Sequence, residues 1–282
     1  MLEKLIKAAE AGKAMDQFKL GEVYFFGVDI EKDLEKAIHW WRLAADQGMT
    51  EAQYNLGQAY LDGQGVGQDL KEAFSWFLKS AEGGLAVAQF TVGGAYYSGE
   101  TFVERDATQA AGWWAKAAEQ EFPAAQFYLG LMYFSGDGIP KDEAKAVGYW
   151  RKASEQGYAM AQVNLGSALC AGVGVEADPV EGVSWWQKAA DKGLGMAQFN
   201  LGNAYAEGIG ISPDPAKAVT YWEMAAEQDV AEAQFNLGSA YFNGQGVAKD
   251  MTLAIKWWRK AADLGFPEAV ENMRLLDGQR TH

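Results

Sequence analysis

The chain has 282 residues, of which 38 are Asp or Glu and 24 are Lys or Arg, so its formal charge at pH 7 is −14. Such an acidic surface repels phosphate backbones and anionic membranes, which disfavours a nucleic-acid-binding or membrane-surface protein. No stretch approaches the roughly 18 consecutive apolar residues of a membrane span. Cys170 is the single cysteine, so an intrachain disulfide is excluded.

The sequence leaves two compartments open. A lone cysteine mildly favours a reducing compartment, although many periplasmic proteins also lack disulfides. The first residues, Met1 to Ile6, are amphipathic and include an acidic residue early, which does not resemble a signal peptide. We expect a cytosolic protein, or else a periplasmic protein whose leader has been removed.

A pair of adjacent aromatic side chains recurs every 36 residues, with one spacing of 37 between Trp76 and Trp113. The pairs are Trp40-Trp41, Trp76-Phe77, Trp113-Trp114, Tyr149-Trp150, Trp185-Trp186, Tyr221-Trp222 and Trp257-Trp258. A period of this length is typical of a solenoid, in which one unit cannot bury its apolar face alone and neighbouring units stack into a continuous core.

We predict one solenoid over residues 1–282, with a half repeat at 1–12, seven full repeats over 14–265 and a C-terminal capping helix at 267–277. The first helices of the full repeats are predicted at 14–26, 50–62, 86–98, 123–135, 159–171, 195–207 and 231–243. Polar residues on the outer face of the capping helix, such as Arg274, are what the end of a stack requires.

Each first helix contains a glycine after a leucine or valine, as at Leu237-Gly238. A glycine inside a helix costs about 1 kcal/mol relative to alanine, so a column of them needs a reason. We predict that a neighbouring helix approaches each glycine too closely to admit a side chain. Recurring Gly-x-Gly turns follow these helices, and their first glycine suits a left-handed helix end.

An aspartate then precedes every second helix, and in Asp178-Pro179 and Asp214-Pro215 a proline follows it directly. This is the pattern of an N-cap followed by the first helical residue. We predict that Asp33, Asp69, Asp106, Asp142, Asp178, Asp214 and Asp250 are capping residues and not catalytic acids.

Within each second helix the aromatic pair is flanked by small residues, as in Ala254, Trp258 and Ala261. Trp258 then faces its own first helix, while Trp257 points to a neighbour or to the surface, where it could stack on a sugar. The 37-residue spacing places an insertion in the loop 98–104. There Phe102 is either an exposed anchor or folded back onto the turn.

These motifs together resemble the Sel1-like repeat, a relative of the tetratricopeptide repeat. The resemblance covers nearly the whole chain and is carried by Ala-x-x-x-Leu-Gly-x-x-Tyr, as at 197–205, and by Gly-x-Gly-Val, Asp-x-x-x-Ala and Trp followed by Ala-Ala. It implies an all-α, right-handed superhelical solenoid with first helices on the concave side. Leu169, Gly182, Glu121 and Asp229 depart from the pattern, which puts local packing in question there.

In tetratricopeptide repeats, concave first-helix positions hold peptide partners, so the resemblance implies a groove at the matching positions. The predicted partner-binding residues are Lys19, Tyr54, Asn55, Gln58, Phe90, Tyr97, Phe127, Tyr128, Phe134, Asn164, Phe199, Asn200, Asn203, Phe235, Asn236 and Phe242. Asparagine offers a donor and an acceptor, so a ladder of them suits an extended backbone. The phenylalanines either line the groove or pack between first helices.

Cations are scarce among these positions, so we expect a partner protein or peptide with a neutral or apolar segment. A non-catalytic interaction scaffold is the first interpretation, and a carbohydrate-binding or envelope-assembly module is the alternative. A cell-wall or β-lactam-related enzyme is third, because the chain has two histidines, no zinc-ligand spacing and no serine with a base beside it. We predict a monomer without catalytic residues, metal or cofactor.

Overall fold

The computed structural model of the protein describes residues 2–99 and 103–279, which are helical apart from turns and a one-residue bridge at Val103. The helices are α1 (Leu2–Glu10), α2 (Ala14–Phe26), α3 (Leu34–Asp46), α4 (Thr50–Asp62), α5 (Leu70–Glu82), α6 (Ala86–Ser98), α7 (Ala107–Glu119), α8 (Pro123–Ser135), α9 (Glu143–Glu155), α10 (Ala159–Ala171), α11 (Pro179–Ala190), α12 (Gly195–Glu207), α13 (Pro215–Ala226), α14 (Ala231–Asn243), α15 (Met251–Asp263) and α16 (Pro267–Gln279). None of these described helices is both long and apolar enough to span a bilayer. Phe102 lies outside the described residues.

Backbone contacts divide the chain into two units, Met1–Lys141 and Asp142–His282. In the first unit, α1 to α8 each pack against the helices adjacent to them in sequence, and α9 to α16 do the same in the second unit. Packing that is strongest between sequence neighbours is the property of a helical repeat solenoid. The predicted all-α solenoid of helix-turn-helix repeats is therefore confirmed.

The seven first helices begin and end at the predicted residues because their stop signals are local. After α14, Gly244 adopts φ 75°, and its N–H donates to the carbonyl of Ala240 at 2.8 Å. The second glycine of the same turn has a different reason. A Cβ on Gly246 would lie 2.1 Å from the carbonyl oxygen of Pro215 at the start of α13. The turn therefore packs directly on the backbone of the preceding repeat.

The aspartates before the second helices are N-caps, as predicted. Each carboxylate accepts a hydrogen bond from a backbone N–H in the first turn, which satisfies a donor that has no partner within the helix. The capped donors belong to Lys36, Glu72, Gln109, Lys145, Glu181, Lys217 and Leu253. The N–H of the N-cap Asp178 donates to the carbonyl of Leu169 at 2.9 Å, so the side chain of Glu181 does not bond back to it and instead accepts from Arg151 and the Trp185 indole.

The glycines of the predicted column face an aromatic ring, and Gly166 also faces the backbone carbonyl of Gly182 in α11 at 2.8 Å from its would-be Cβ. A Cβ on Gly93 would lie 2.5 Å from Cδ1 of Trp114, which is the second aromatic residue of the pair in the same repeat. Equivalent contacts of 2.4–2.6 Å occur between Gly21 and Trp41, Gly57 and Phe77, Gly166 and Trp186, Gly202 and Trp222, and Gly238 and Trp258. The prediction of a close approach is confirmed, with the ring as the group that fills the space.

A column of buried glutamines is a feature that the sequence analysis missed. The members are Gln17, Gln53, Gln89, Gln126, Gln162, Gln198 and Gln234, all at most 8 % exposed. The Nε2 group of Gln234, for example, donates at 3.0 Å to the carbonyl of Ala226 in the last turn of α13. Such bonds satisfy carbonyls that have no partner within the preceding helix. A polar residue recurring on an apolar face was the signal for this role.

The side-chain oxygen Oε1 of a buried glutamine is hydrogen-bonded only where a second glutamine follows the second helix of the same repeat. Gln228 donates to Oε1 of Gln198 at 2.7 Å, and Gln47 and Gln120 do the same for Gln17 and Gln89. Gly83, Lys192 and Leu264 stand at the corresponding positions of other repeats. The oxygens of Gln53, Gln162 and Gln234 are buried there without a partner among the described residues.

The departures from the repeat pattern each have a local consequence. Glu121 and Asp229 adopt φ of 60° and 58° where other repeats have glycine, a conformation that is unfavourable for a residue with a side chain. Gly182 replaces alanine because a Cβ there would lie 2.5 Å from Sγ of Cys170. The packing of α10 on α11 is therefore closer than an alanine would permit.

Candidate functional site

The predicted partner-binding residues project from the first helices of both units, and we call the surface that they form in each unit the first-helix face. Lys19, Tyr97, Phe134 and Phe242 are exposed on it. Half-buried residues make up most of the set, namely Tyr54, Asn55, Gln58, Phe90, Tyr128, Asn164, Phe199, Asn200, Asn203, Phe235 and Asn236. Phe127 is 3 % exposed, so of the two alternatives that the sequence left open for the phenylalanines it takes the packed one.

The phenylalanine column is largely packed. The Phe235 ring lies 5.1 Å from that of Phe266, and the Phe90 ring lies 5.3 Å from that of Phe122. Each of these partners immediately precedes the helix that follows in the solenoid, α16 and α8 respectively. The two rings therefore contact the start of the next repeat and remain half-buried. They both pack between helices and contribute to the surface, so they combine the two alternatives that the sequence left open.

In the second unit, the asparagine ladder contains two amides with free hydrogen-bonding groups. Asn164 and Asn200 are half-buried, and neither side chain forms a hydrogen bond within the described residues. Asn236 donates at 3.1 Å to Oδ1 of Asn203, which also accepts from the Trp222 indole at 3.0 Å. Asn203 therefore stabilises the core ring of its own repeat, while Asn164 and Asn200 remain available to a ligand.

In the first unit, the face contains a cleft of about 270 Å³ between α2 and α4. Its lining combines carboxylates, amides and rings, including Glu22, Asn55, Gln58 and Trp41. Partial burial raises the pKa of Glu22 above its ordinary value, although Lys19 one turn earlier opposes this effect. A carboxylate that is partly removed from water and has no ion-pair partner is an acceptor for a cation or a donor.

The first ring of each aromatic pair, which we call the outer ring, is covered by a lysine in several repeats, although not at Trp40 or Tyr221 among the described residues. Lys79 lies 3.9 Å from the ring centroid of Trp76, and Lys188 lies 3.6 Å from that of Trp185. Both indoles are also at most 8 % exposed. Because an amphiphilic lysine already occupies each ring face, these rings lack the open face that sugar stacking requires. This arrangement speaks against sugar stacking on Trp76 and Trp185.

Neither a cluster of metal ligands nor a reactive thiol is present in the described part of the chain. Its histidine, cysteine, aspartate and glutamate side chains form no cluster of three or more that could hold a metal ion. Burial raises the pKa of the Cys170 thiol to about 11, with a further contribution from the charge of Asp178. The thiol is therefore protonated at neutral pH and is a poor nucleophile.

The Sel1 repeat matches residues 14–49, 50–85, 86–122, 123–158, 159–194, 195–230 and 231–266, which leaves only the ends of the chain unmatched. The chain belongs to the Sel1 repeat family. Each matched Sel1 repeat holds one first helix and one second helix of the structure. No curated protein sequence gives a significant match to the chain.

Two solved structures of Sel1-like proteins are similar to this one. A protective antigen present in uropathogenic Escherichia coli strains, described as displaying an SLR fold, is 37 % identical, with a TM-score of 0.85 over 95 % of this chain. A Sel1 repeat protein from Oxalobacter formigenes is 36 % identical, with a TM-score of 0.74 over 96 % of this chain. This chain spans 57 % of the first protein and 78 % of the second. Sel1 repeat folds generally mediate protein–protein interactions and are typically non-enzymatic scaffolds.

Proposed function

We propose that this Sel1 repeat protein is a scaffold that holds an extended segment of a partner protein along its first-helix face. The observation that carries the proposal is the pair of half-buried, unpartnered amides of Asn164 and Asn200. They occupy equivalent positions in successive repeats, 36 residues apart. Each offers a donor and an acceptor, which match the two polar groups of a peptide unit.

The surroundings of these amides favour a neutral or apolar segment. Phe199 and Phe235 lie beside Asn200 and Asn236 in sequence and are half-buried, so each presents part of a ring to the same face. A partly exposed ring gives a large contact area at a low cost in side-chain entropy. The backbone of the segment would then bond to the asparagines, while its apolar side chains contact the rings.

The experiment is a selection of random twelve-residue peptides on the whole chain, followed by affinity measurements using fluorescence anisotropy. We expect the Asn164→Ala/Asn200→Ala double variant to bind the selected peptides about tenfold more weakly, since each lost hydrogen bond is worth about 0.5–1.5 kcal/mol. Methylation of single backbone nitrogens in a selected peptide should have a comparable effect at the contacted positions.

Asn243→Ala is the matched control, because this exposed asparagine at the end of α14 lies outside the ladder. It should leave the affinity unchanged. A selection that yields no saturable binder would contradict the scaffold function. If selected peptides bound the double variant as tightly as the unaltered chain, the role of Asn164 and Asn200 would be contradicted, but the scaffold function would not.

A further inference from the structure

Two clefts on the first-helix face of the first unit are equivalent to each other. One has a volume of about 270 Å³ and lies between α2 and α4, and the other has a volume of about 280 Å³ and lies between α4 and α6. Residues of the second cleft stand 36 positions after their counterparts in the first. The corresponding pairs are Phe25 and Leu61, Trp41 and Phe77, Asn55 and Thr91, and Gln58 and Gly94.

The first cleft is suited to a cation. Glu22 and Asp62 both line it, and neither carboxylate forms an ion pair with a described residue. Phe26, which is 67 % exposed, also lines it, whereas the Phe25 ring is already covered by Lys32 at 5.3 Å from its centroid. Two carboxylates without an ion pair beside the exposed Phe26 ring attract ammonium or guanidinium groups.

The second cleft lacks the carboxylates of the first. No charged residue lines it, and Leu61 and Leu70, which are 38 % and 39 % exposed, contribute apolar walls. Gly94 stands where the first cleft has Gln58, and a Cβ at Gly94 would meet no atom within 4 Å. The space that a side chain fills in the first cleft is therefore open in the second, and it suits an aliphatic group.

The dimensions point to single side chains of one bound segment. Both volumes lie below the roughly 300–1,000 Å³ of pockets that hold a whole small molecule. Neighbouring helices lie roughly 8–10 Å apart. An extended segment in the polyproline II conformation advances about 3.1 Å per residue with three residues per turn, so its side chains at i and i+3 point to the same side. Two side chains that enter neighbouring clefts are therefore separated by roughly three residues.

We propose that the first unit recognises its partner by one cationic and one apolar side chain, about three residues apart in an extended segment. The cationic side chain enters the cleft of Glu22 and Asp62, and the apolar one enters the cleft of Leu61 and Gly94. The formal charge of −14 adds a long-range attraction for a basic partner. This inference rests on the proposed function and specifies the chemistry of the segment.

The test uses end-capped ten-residue peptides that contain Arg-Ala-Ala-Leu or the reverse order, Leu-Ala-Ala-Arg, in an alanine and glycine background. Affinities are measured by calorimetry on the whole chain. At least one order should bind, and replacement of its arginine by the isosteric, neutral citrulline should weaken binding about fivefold to tenfold. Replacement of its leucine by alanine should weaken binding by a similar factor.

Two variants assign these effects to the clefts. The Glu22→Gln/Asp62→Asn double variant, which removes both carboxylates of the first cleft, should bind the arginine and citrulline peptides equally. Gly94→Gln fills the second cleft and should bind the leucine and alanine peptides equally. Glu82→Gln, which removes one exposed charge at the end of α5 outside both clefts, should bind like the unaltered chain. Helical circular dichroism should be the same in all variants.

The inference would be overturned if both peptide orders failed to bind, or if arginine and citrulline peptides bound equally to the unaltered chain. It would also be overturned if the Glu22→Gln/Asp62→Asn and Gly94→Gln variants still discriminated between the paired peptides. These results are separable from the proposed function, whose ladder residues Asn164 and Asn200 belong to the second unit. A library peptide that depends on the ladder but not on Glu22 or Gly94 would leave that function standing and reject this inference.

Discussion

Two adjacent glycines of α6 are expected to respond to alanine in opposite directions. At Gly93 a Cβ would lie 2.5 Å from Cδ1 and 2.6 Å from Nε1 of Trp114, whereas at Gly94 it would meet no atom within 4 Å. Carbon atoms in contact normally lie about 3.5–4.0 Å apart, so the Gly93→Ala variant must move the indole by about 1 Å. The same helix thus supplies its own control.

The Trp114 ring has little freedom to move. It is 2 % exposed, and its Nε1 donates to the carbonyl of Phe90 at 3.1 Å. The rings of Tyr97 and Tyr128 lie 5.2 Å and 5.1 Å from it. A displacement therefore weakens this hydrogen bond and disturbs the neighbouring rings.

Overpacking costs typically about 1–3 kcal/mol, and the lost hydrogen bond adds about 0.5–1.5 kcal/mol. The higher helix propensity of alanine offsets about 1 kcal/mol of this cost. We expect Gly93→Ala to lower the free energy of unfolding by about 2 kcal/mol. Gly94→Ala should raise it by about 0.5–1 kcal/mol.

Urea unfolding followed by tryptophan fluorescence at 25 °C measures both effects, provided that the slopes of the transitions agree. Near-ultraviolet circular dichroism should change for Gly93→Ala and remain the same for Gly94→Ala. An unfolding midpoint for Gly93→Ala that equals or exceeds that of Gly94→Ala would refute the conclusion that the ring requires the glycine.

Three further predictions concern single positions. Leu264→Gln should stabilise the chain by about 1 kcal/mol in urea unfolding, because the new side chain can donate to the buried Oε1 of Gln234. The backbone at Leu264, with φ −83° and ψ 0°, is nearly the same as at Gln47, with φ −87° and ψ 4°, where a glutamine makes the equivalent bond. Leu264→Met is its control, and an equal gain from methionine would contradict this reason. Glu121→Gly should raise the unfolding free energy by about 0.5–1 kcal/mol by relieving its positive φ, and an unchanged midpoint would show that the conformation is not strained. Cys170, with its pKa raised to about 11, should react with an aromatic disulfide at pH 8 roughly 100-fold more slowly than a free thiol, and the rate should rise about tenfold per pH unit up to that pKa. A rate that levels off near pH 9 would show that burial does not raise the pKa.

The limits of the helices and the order of the repeats are present in the sequence itself. A left-handed glycine such as Gly244 and an N-cap such as Asp106 act within a few residues of their own position, so they can be read without neighbours. The recurring aromatic pair then shows that each unit needs its neighbours to bury its rings. These local signals account for the agreement between the predicted and observed first helices.

The tertiary structure alone decided which atoms meet between helices. Residues about 30 positions apart provide these contacts, as when Gln228 satisfies Gln198, and a repeat pattern does not state which side-chain orientation results. For the same reason the sequence did not show that Phe127 is buried, that lysines cover several of the outer rings, or that Gly94 opens a cleft where Gln58 fills one. Periodicity determines which residue types recur, whereas packing between neighbouring helices determines which of them remain free to bind.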